Sequence, residues 1–390
     1  MNVLVVNAGS STLKYQVIDT KSHKVSAKGS CERVCFTGGT FTHAANGSKK
    51  VTENIEFPDH KVAIEVVLKD LEANGVKIEG IGHRIVQGGW YFGDSSLVDE
   101  DVLAKIREVA PLAPLHNNPE ANVIEFCLEQ YPDLPNVTVY DTAFHFNMPE
   151  VAKTYALPKD VCDKLHIRKY GAHGTSYRYI SKKVAEMTNG EARKVVVCHI
   201  GSGASLCAIE DGKCMDTTMG LTPLDGVMMG TRCGDLDPSV VNYLKYTLNI
   251  TGHELDEILN KKSGLLGISG VSSDKRDVEE AAEAGNKRAQ LASDMLNYQI
   301  KKTIGSYIAA MGGVDAIVFT GGIGEHDAAA RAKICHHMDW LGIRIDTDKN
   351  KHIQGDVCEI TAWGAKVRTL VIATDEELMI ARDTKEVVEK

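Results

Sequence analysis

The 390-residue sequence lacks the features of a membrane or nucleic-acid-binding protein. It contains no apolar run close to the roughly 20 residues that a membrane-spanning helix needs. It has no basic N-terminal region, and polar residues interrupt its first apolar run, so we expect no signal peptide. It has no basic block, and its net charge of −9 argues against a nucleic-acid partner. We therefore expect a cytoplasmic protein.

None of the ten cysteines forms a C-x-x-C pair, the spacing typical of zinc and redox sites. They are scattered from Cys31 to Cys358, and several lie in apolar, strand-like runs. We expect free thiols in a reducing compartment rather than disulfides or a zinc site. His336 and His337 have no matching ligand cluster nearby, and we expect them at the surface.

The composition is that of a globular protein with a large core, since 43% of residues are apolar and 25% are charged. The length favours two domains. Turn-rich sequence from about 147 to 170 places the boundary near Pro149. We therefore expect domains at 1–148 and 149–376, with the final helix, about 377–390, packing back on the first.

The residues that follow Met1 and Asn2 carry the first functional signal. Apolar residues 3–6 lead into a small polar turn and then into alternating sequence, which predicts strand, turn, strand. Gly9 allows close approach to a ligand, and the groups of residues 9–12 can face one anion, although an ordinary hairpin explains the pattern equally well. A second copy at 195–206, half a chain away, aligns Gly201 with Gly9 and favours a phosphate site built from two similar domains.

Single residues at strand ends and in glycine-rich loops are further candidates for a functional site. Arg84 follows a short strand, and Asp141 follows the strand at 137–140, where ligands gather in α/β folds. The simpler interpretation of Arg84 is a surface ion pair, and that of Asp141 is a turn residue. His173 lies between glycines, and the long loop at 216–237 carries Arg232.

Three helix starts are predicted near glycines, prolines and acidic residues. The strand at 316–320 runs into a glycine segment and then a helix beginning near Asp327, which would offer free amides to a nucleotide. Asn118 is the predicted N-cap of a helix with Pro119 in its first turn. Thr374 and Glu377 are predicted to form a capping box, which leaves Glu376 free to face a cleft.

Nine motifs together resemble the acetate kinase family, in family order and across essentially the whole chain. They are N-A-G-S-S-T-L-K at 7–14, G-H-R-I-V-Q-G-G at 82–89, P-L-H-N at 114–117, Y-D-T-A-F-H at 140–145, G-A-H-G-T-S at 171–176, T-P-L-D-G-V-M-M-G-T-R-C-G-D-L-D-P at 222–238, S-S-D-K-R-D at 272–277, G-G-I-G-E at 321–325 and T-D-E-E-L-M-I-A-R at 374–382.

The resemblance implies an α/β fold of two actin-like ATPase (ribonuclease H-like) domains, with the nucleotide in the cleft between them. It implies a homodimer whose second domain carries most of the nucleotide site and the dimer interface. The implied reaction is the reversible, direct in-line transfer of the ATP γ-phosphoryl group to acetate, giving acetyl phosphate and ADP. The implied metal is Mg²⁺, with Mn²⁺ as an alternative.

The resemblance also assigns roles to individual residues. Arg84 and Arg232 hold the acid carboxylate and the moving phosphoryl group, and His173 donates to the same transition state. Asp141 maintains the geometry of metal and substrate, and His116 supports the pocket. The metal residues are Asn7 and Glu376, and the residues facing the methyl group of the acid are Val86, Leu115, Ala172 and Pro223. The residues assigned to ATP are Ser10, Thr12, Lys14, His199, Ile200, Gly201, Ser202, Gly203, Asp274, Lys275, Arg276, Gly322, Ile323, Gly324, Glu325 and His326.

Five positions depart from the family pattern, and they leave two alternatives open. Ala172 replaces a usual Phe and would enlarge the acid pocket, which favours a sibling kinase acting on propionate or butyrate. Ser202, Tyr177, Thr12 and His326 replace a usual Asn, His, Ser and Asn. Pyrophosphate as donor is disfavoured by the open glycine segment. A nucleotide-binding sensor without transfer activity is disfavoured because all the catalytic candidates are present.

Overall fold

The structure is a computed structural model that describes residues 1–390. The chain divides into two compact units. Unit 1 comprises residues 1–146, 174–179 and 375–390, and unit 2 comprises residues 147–173 and 180–374. None of the helices has the length and apolar character required to cross a membrane.

Fourteen strands and fifteen helices form the two units. The strands are β1 (Asn2–Ala8), β2 (Thr12–Asp19), β3 (Val25–Glu32), β4 (Thr40–Ala45), β5 (Val51–Asn54), β6 (Gly80–Ile85), β7 (Ser96–Leu97), β8 (Asn136–Tyr140), β9 (Lys194–Ile200), β10 (Ala204–Glu210), β11 (Lys213–Thr217), β12 (Ala316–Thr320), β13 (Val357–Glu359) and β14 (Arg368–Ile372). The helices are α1 (His60–Ala73), α2 (Glu100–Val109), α3 (Pro114–Gln130), α4 (Glu150–Lys153), α5 (Lys159–Leu165), α6 (Gly174–Met187), α7 (Pro238–Thr247), α8 (Gly252–Lys261), α9 (Gly264–Ser269), α10 (Lys275–Glu283), α11 (Lys287–Met311), α12 (Gly321–His326), α13 (Ala328–Cys335), α14 (Thr347–Lys351) and α15 (Glu376–Val388).

The sheet of unit 1 has the order β5-β4-β3-β2-β1-β6-β8-β7. The predicted first hairpin is confirmed, since β1 and β2 pair antiparallel with Asn7 opposite Lys14. Helices α1 and α3 pack on the sheet beside buried Leu4, Val6 and Leu13, and α15 packs against β1, β6 and β8. Because β1, β6 and β8 are parallel, their carboxyl ends lie at one edge of the sheet.

The sheet of unit 2 has the order β11-β10-β9-β12-β14-β13. The second predicted hairpin is confirmed by the antiparallel pairing of β9 with β10. The long helix α11 buries Leu296, Ile300 and Ile304 in the core of this unit. Strands β9, β12 and β14 are parallel, so His199 and Thr320 lie at the same edge of the sheet.

Two of the three predicted helix starts are wrong. Helix α3 begins at Pro114 and accepts Pro119 in its interior, and the Asn118 side chain donates to the Pro114 carbonyl (3.2 Å) instead of capping. The N-cap of α15 is Asp375, whose carboxylate accepts from the Leu378 amide at 2.9 Å. A carboxylate and a hydroxyl compete for the same orphan amides at a helix start, and the sequence alone did not decide between them.

Two further expectations are confirmed, the free thiols and the surface position of His336 and His337. All ten cysteines are free, and six of them are buried. His336 and His337 are exposed. Asp327 caps α13 as expected, through the Ala330 amide at 2.8 Å, but the preceding glycine segment is itself the short helix α12 rather than a loop.

Candidate active site

An ion pair between a partly exposed arginine and a buried aspartate lies where the parallel strands of unit 1 end. The Arg84 guanidinium donates to both carboxylate oxygens of Asp141, with Nη2 at 2.6 Å from Oδ2 and Nε at 3.3 Å from Oδ1. Its Nη1 donates to the Asn7 carboxamide oxygen at 3.2 Å, and Glu376 Oε2 lies 4.0 Å from Nε. Thus Asn7, Arg84, Asp141 and Glu376, predicted separately from the sequence, converge within one unit.

Burial and mutual repulsion set the charge of this cluster. The side chain of Asp141 is 1% exposed, and the Thr175 hydroxyl donates to its Oδ1 at 3.2 Å. Burial raises the pKa of Glu376 to about 7, with a further contribution from the Asp141 carboxylate, while the Arg84 charge works in the opposite direction. Glu120, on α3, is a third acidic group here, and burial raises its pKa well above the usual value. The cluster is therefore rich in oxygen ligands and contains one strong cation.

The other predicted residues of unit 1 lie around this cluster with different exposure. Val86 is buried, and its amide donates to Glu120 at 3.3 Å. Leu115 is 57% exposed near the start of α3, where His116 is half-buried. In the first hairpin turn the Gly9 amide closes the hairpin by donating to the Thr12 carbonyl (2.8 Å) and is not available to an anion. The three residues of this turn and strand that were assigned to ATP, Ser10, Thr12 and Lys14, all have side chains that reach solvent.

In unit 2, His173, Gly203 and Arg232 are neighbours. His173 has a left-handed backbone conformation (φ 56°) directly before α6, its Nδ1 lies 2.8 Å from the Ser205 hydroxyl, and its ring stacks on His199 with centroids 4.2 Å apart. A Cβ placed on Gly203 would lie 3.4 Å from His173 Nε2 and 3.7 Å from Arg232 Nη1. A side chain at position 203 would therefore contact both the imidazole and the guanidinium, and glycine leaves that space unfilled.

Arg232 is a cation without a carboxylate partner. Its Nη1 donates to the Pro223 carbonyl at 3.0 Å, and no Asp or Glu oxygen lies within ion-pairing distance. Burial lowers the pKa of its guanidinium. A partly buried guanidinium that lacks a counter-charge is a site prepared for an anion.

Beside these residues, unit 2 contains a cavity of about 860 Å³. The second hairpin turn, the start of α10 and the glycine helix α12 form its walls. The sequence-predicted residues that line it are Gly201, Ser202, Asp274, Lys275, Arg276, Gly322, Ile323 and His326. The exposed Arg276 pairs with Asp274 and donates hydrogen bonds that lower the pKa of Asp274 to about 2.

The other residues assigned to ATP do not line this cavity. Ile200 and Gly324 are buried, His199 is 9% exposed, and Gly203 faces His173. The Glu325 carboxylate accepts from the Gly321 amide at 2.9 Å and from the Thr374 amide at 3.3 Å. The first amide of α12, predicted to be free for a nucleotide, is therefore occupied by a side chain of the same helix.

Of the five positions that depart from the family pattern, two are buried, Thr12 is partly exposed, and Ser202 and His326 are exposed. Ala172 is 3% exposed and belongs to the core of unit 2. Tyr177 is fully buried in unit 1, with its ring edge-on to His145 at 5.6 Å. Ser202 is exposed, and its carbonyl accepts from the Gly230 amide at 3.2 Å.

The model of the Acetokinase family matches residues 2–382 of the chain. The chain belongs to the acetokinase family. It is 49% identical over its full length to an acetate kinase of Clostridium botulinum, of which it also covers the full length. The crystal structure of Porphyromonas gingivalis acetate kinase is similar, with a TM-score of 0.94, 41% identity and 99% of each chain covered. A propionate kinase from Francisella tularensis has the same TM-score of 0.94, with 40% identity and 99% of each chain covered.

These similarities to other members of the acetokinase family confirm the predicted α/β fold class of the actin-like ATPases. They also confirm the resemblance on which the site assignments depend. The sequence analysis had missed Thr175, Ser205 and Glu120, which contact Asp141, His173 and the Val86 amide. Thr175 lies in the motif G-A-H-G-T-S, and Ser205 lies in the second hairpin. Their hydroxyl groups, within segments already predicted to be functional, were the signal that could have identified them.

Proposed function

We propose that the chain catalyses the reversible transfer of the ATP γ-phosphoryl group to acetate, giving acetyl phosphate and ADP. One observation carries the proposal most strongly, namely that the Arg232 guanidinium lies beside His173 and has no carboxylate partner. Full-length similarity to acetate kinases supports the same reaction.

In this reaction Arg232 and His173 act on the moving phosphoryl group. Its three equatorial oxygens carry the charge of a loose transition state, and catalysis consists mainly of positioning and neutralising that charge. The Arg232 guanidinium binds these oxygens, and the Pro223 carbonyl fixes its orientation. His173 donates a hydrogen bond to the same group, with the ring held by Ser205 and His199.

Arg84 and Asp141 act on the acid. We assign the acid carboxylate to the exposed part of the Arg84 guanidinium, which two bonds to Asp141 hold in place. A carboxylate nucleophile carries no proton at neutral pH, so Asp141 needs no role as a proton donor or acceptor. Its role is to orient Arg84, and His116 supports the pocket beside it. Val86, Leu115, Ala172 and Pro223 are the residues that we assign to the methyl group.

Asn7 and Glu376 fit a magnesium ion. A carboxamide oxygen and a carboxylate are ligands that Mg²⁺ prefers, and the further carboxylate of Asp141 lies in the same cluster. Mg²⁺, or Mn²⁺ in its place, would neutralise charge on the phosphate chain. The nucleotide itself is assigned to the unit 2 cavity, with Ser10, Thr12 and Lys14 as further phosphate contacts.

The preferred acid is the open part of the proposal. The chain is as similar in structure to a propionate kinase as to an acetate kinase, and the small Ala172 side chain favours a longer acid. One additional buried methylene contributes only about 0.8 kcal/mol, so we expect a graded preference rather than a switch.

A hydroxylamine-trap assay decides between the acids. The protein, Mg²⁺ and ATP are incubated with formate, acetate, propionate or butyrate, and kcat/KM is determined from acyl hydroxamate formation. We expect the highest value for acetate. A higher value for propionate or butyrate would move the assignment to the sibling kinase, and an Ala172→Phe variant would then be expected to restore acetate preference.

We also propose that the protein is a cytoplasmic homodimer that associates through α7 of unit 2. This helix has no buried residue, and Leu236, Val240, Tyr243 and Tyr246 near or within it are 39–77% exposed. Exposed aromatic and aliphatic residues in such a group are typical of protein interfaces. The ten free cysteines fit a reducing compartment.

Sedimentation equilibrium tests the dimer. The unaltered chain should sediment at twice its mass of 42.4 kDa. A Tyr243→Glu/Tyr246→Glu double variant should sediment as a monomer with unchanged circular dichroism. A monomeric unaltered chain at micromolar concentration would refute the dimer.

A further inference from the structure

Lys275 lies within the wall of the nucleotide cavity, although the sequence places it among the ATP contacts. It is 4% exposed, and its ammonium group forms ion pairs with Glu279 on α10 and with Asp327, between α12 and α13 (3.1 Å). An ammonium group has three donors, and two of them are already directed at carboxylates.

The two acidic partners are held by further bonds. The Ser293 hydroxyl donates to Glu279 at 2.5 Å, and Lys333 lies 3.9 Å from the same carboxylate. Burial alone would raise the pKa of Glu279, but the bonds from Lys275 and Ser293 outweigh it and lower the pKa. Glu279 therefore stays charged, and the ion pair with Lys275 is preserved.

Asp327 connects this ion pair to the opposite wall. One of its oxygens binds Lys275 and the other caps α13 through the Ala330 amide (2.8 Å). One turn later the buried Arg331 donates to the carbonyls of Gly324 and Glu325 at 2.8 and 2.9 Å. The start of α10 and the glycine helix α12, which both line the cavity, are thus joined through side chains that form part of its wall.

We propose that Lys275 is a positioning residue, which fixes the spacing of the two cavity walls through Asp327 and Glu279 and sets nucleotide affinity without contacting the phosphates. The inference rests on the proposed nucleotide site. It differs from a direct ATP contact in a measurable way. A phosphate-binding lysine contributes more as phosphates are added, whereas a wall-positioning lysine contributes equally to every ligand that fills the cavity.

The experiment compares Lys275→Met with Lys333→Met. The control replaces a lysine near the same Glu279, but one that is 40% exposed and does not join the two walls. Dissociation constants for adenosine, AMP, ADP and ATP are measured by competition against a fluorescent ADP analogue. For Lys275→Met we expect each constant to rise by a similar factor, about tenfold. Lys333→Met should change none of them by more than about twofold.

A second variant distinguishes the loss of the ion pair from misfolding of the Lys275→Met variant. Asp327→Asn keeps the cap of α13, because Asn caps as well as Asp, but removes the ion pair with Lys275. It should raise the dissociation constants of all four ligands by the same factor as Lys275→Met. The double variant should raise them no further than either single variant does. The KM for the acid should stay unchanged.

Three results would overturn the inference. A loss that grows from adenosine to ATP in Lys275→Met would make Lys275 a phosphate contact. Unchanged constants in both variants would remove any role in the site. Failure of the unaltered chain to bind any of the four ligands would overturn the proposed nucleotide site, and the inference with it.

Discussion

Replacing Arg232 with Ala should lower kcat by about 10³-fold, because an arginine that neutralises a transferring phosphoryl group contributes 10³- to 10⁵-fold. Arg232 has no carboxylate partner, so its removal leaves no buried acid uncompensated. The expected loss is therefore in catalysis rather than in folding. The KM for ATP should change by less than about threefold, since the interaction is made mainly in the transition state.

Two additional variants sharpen this test. Arg232→Lys should keep part of the activity, because an ammonium group supplies charge without the planar fork. Arg288→Ala removes an exposed arginine from the same unit and should leave kcat unaltered. Added guanidinium chloride should restore part of the Arg232→Ala activity. A variant that keeps more than a tenth of the wild-type kcat would contradict the assignment of Arg232 to the phosphoryl group.

Replacing Asp141 with Asn should lower kcat/KM by about 10²-fold, because a small displacement of a substrate-positioning group has an effect of that size. Asn has nearly the same shape as Asp, but it cannot accept two charge-assisted bonds from Arg84. The free energy of unfolding should fall by about 1.5–3 kcal/mol, the value of a hydrogen bond to a charged group.

A matched control separates stability from catalysis. Asp383 is also 1% exposed and pairs with Arg178 at 2.9 Å, in the same unit but outside the proposed site. Asp383→Asn should destabilise the protein by a similar amount, as measured by urea denaturation, and leave kcat/KM near the wild-type value. Equal losses of kcat/KM in the two variants would mean that Asp141 acts through stability alone.

The hairpins and the convergence at the sheet edges could be predicted from the sequence. Each hairpin follows from a period of two and a small polar turn, which are local properties. The approach of Asn7, Arg84 and Asp141 follows from the rule that parallel strands end at one edge. These features depend on a few residues each, so the sequence is sufficient for them.

The partners of individual charged side chains could not be predicted. The sequence offers no way to see that Lys275 is buried between two carboxylates, or that Glu325 turns back to the amide of Gly321. Both depend on the spacing of α10, α12 and α13, which tertiary packing sets. The start of α15 was misplaced because the Asp375 carboxylate, rather than the Thr374 hydroxyl, caps the helix.

The most direct test of the proposed reaction is its reverse. The unaltered protein is incubated with Mg²⁺, ADP and acetyl phosphate, with no other phosphate donor, and ATP, acetate and inorganic phosphate are measured together. We predict that ATP and acetate appear in equal amounts, without inorganic phosphate, and that Arg232→Ala lowers both rates together. Nucleotide binding without ATP formation, or release of acetate and inorganic phosphate in place of ATP, would contradict a kinase that transfers the phosphoryl group directly.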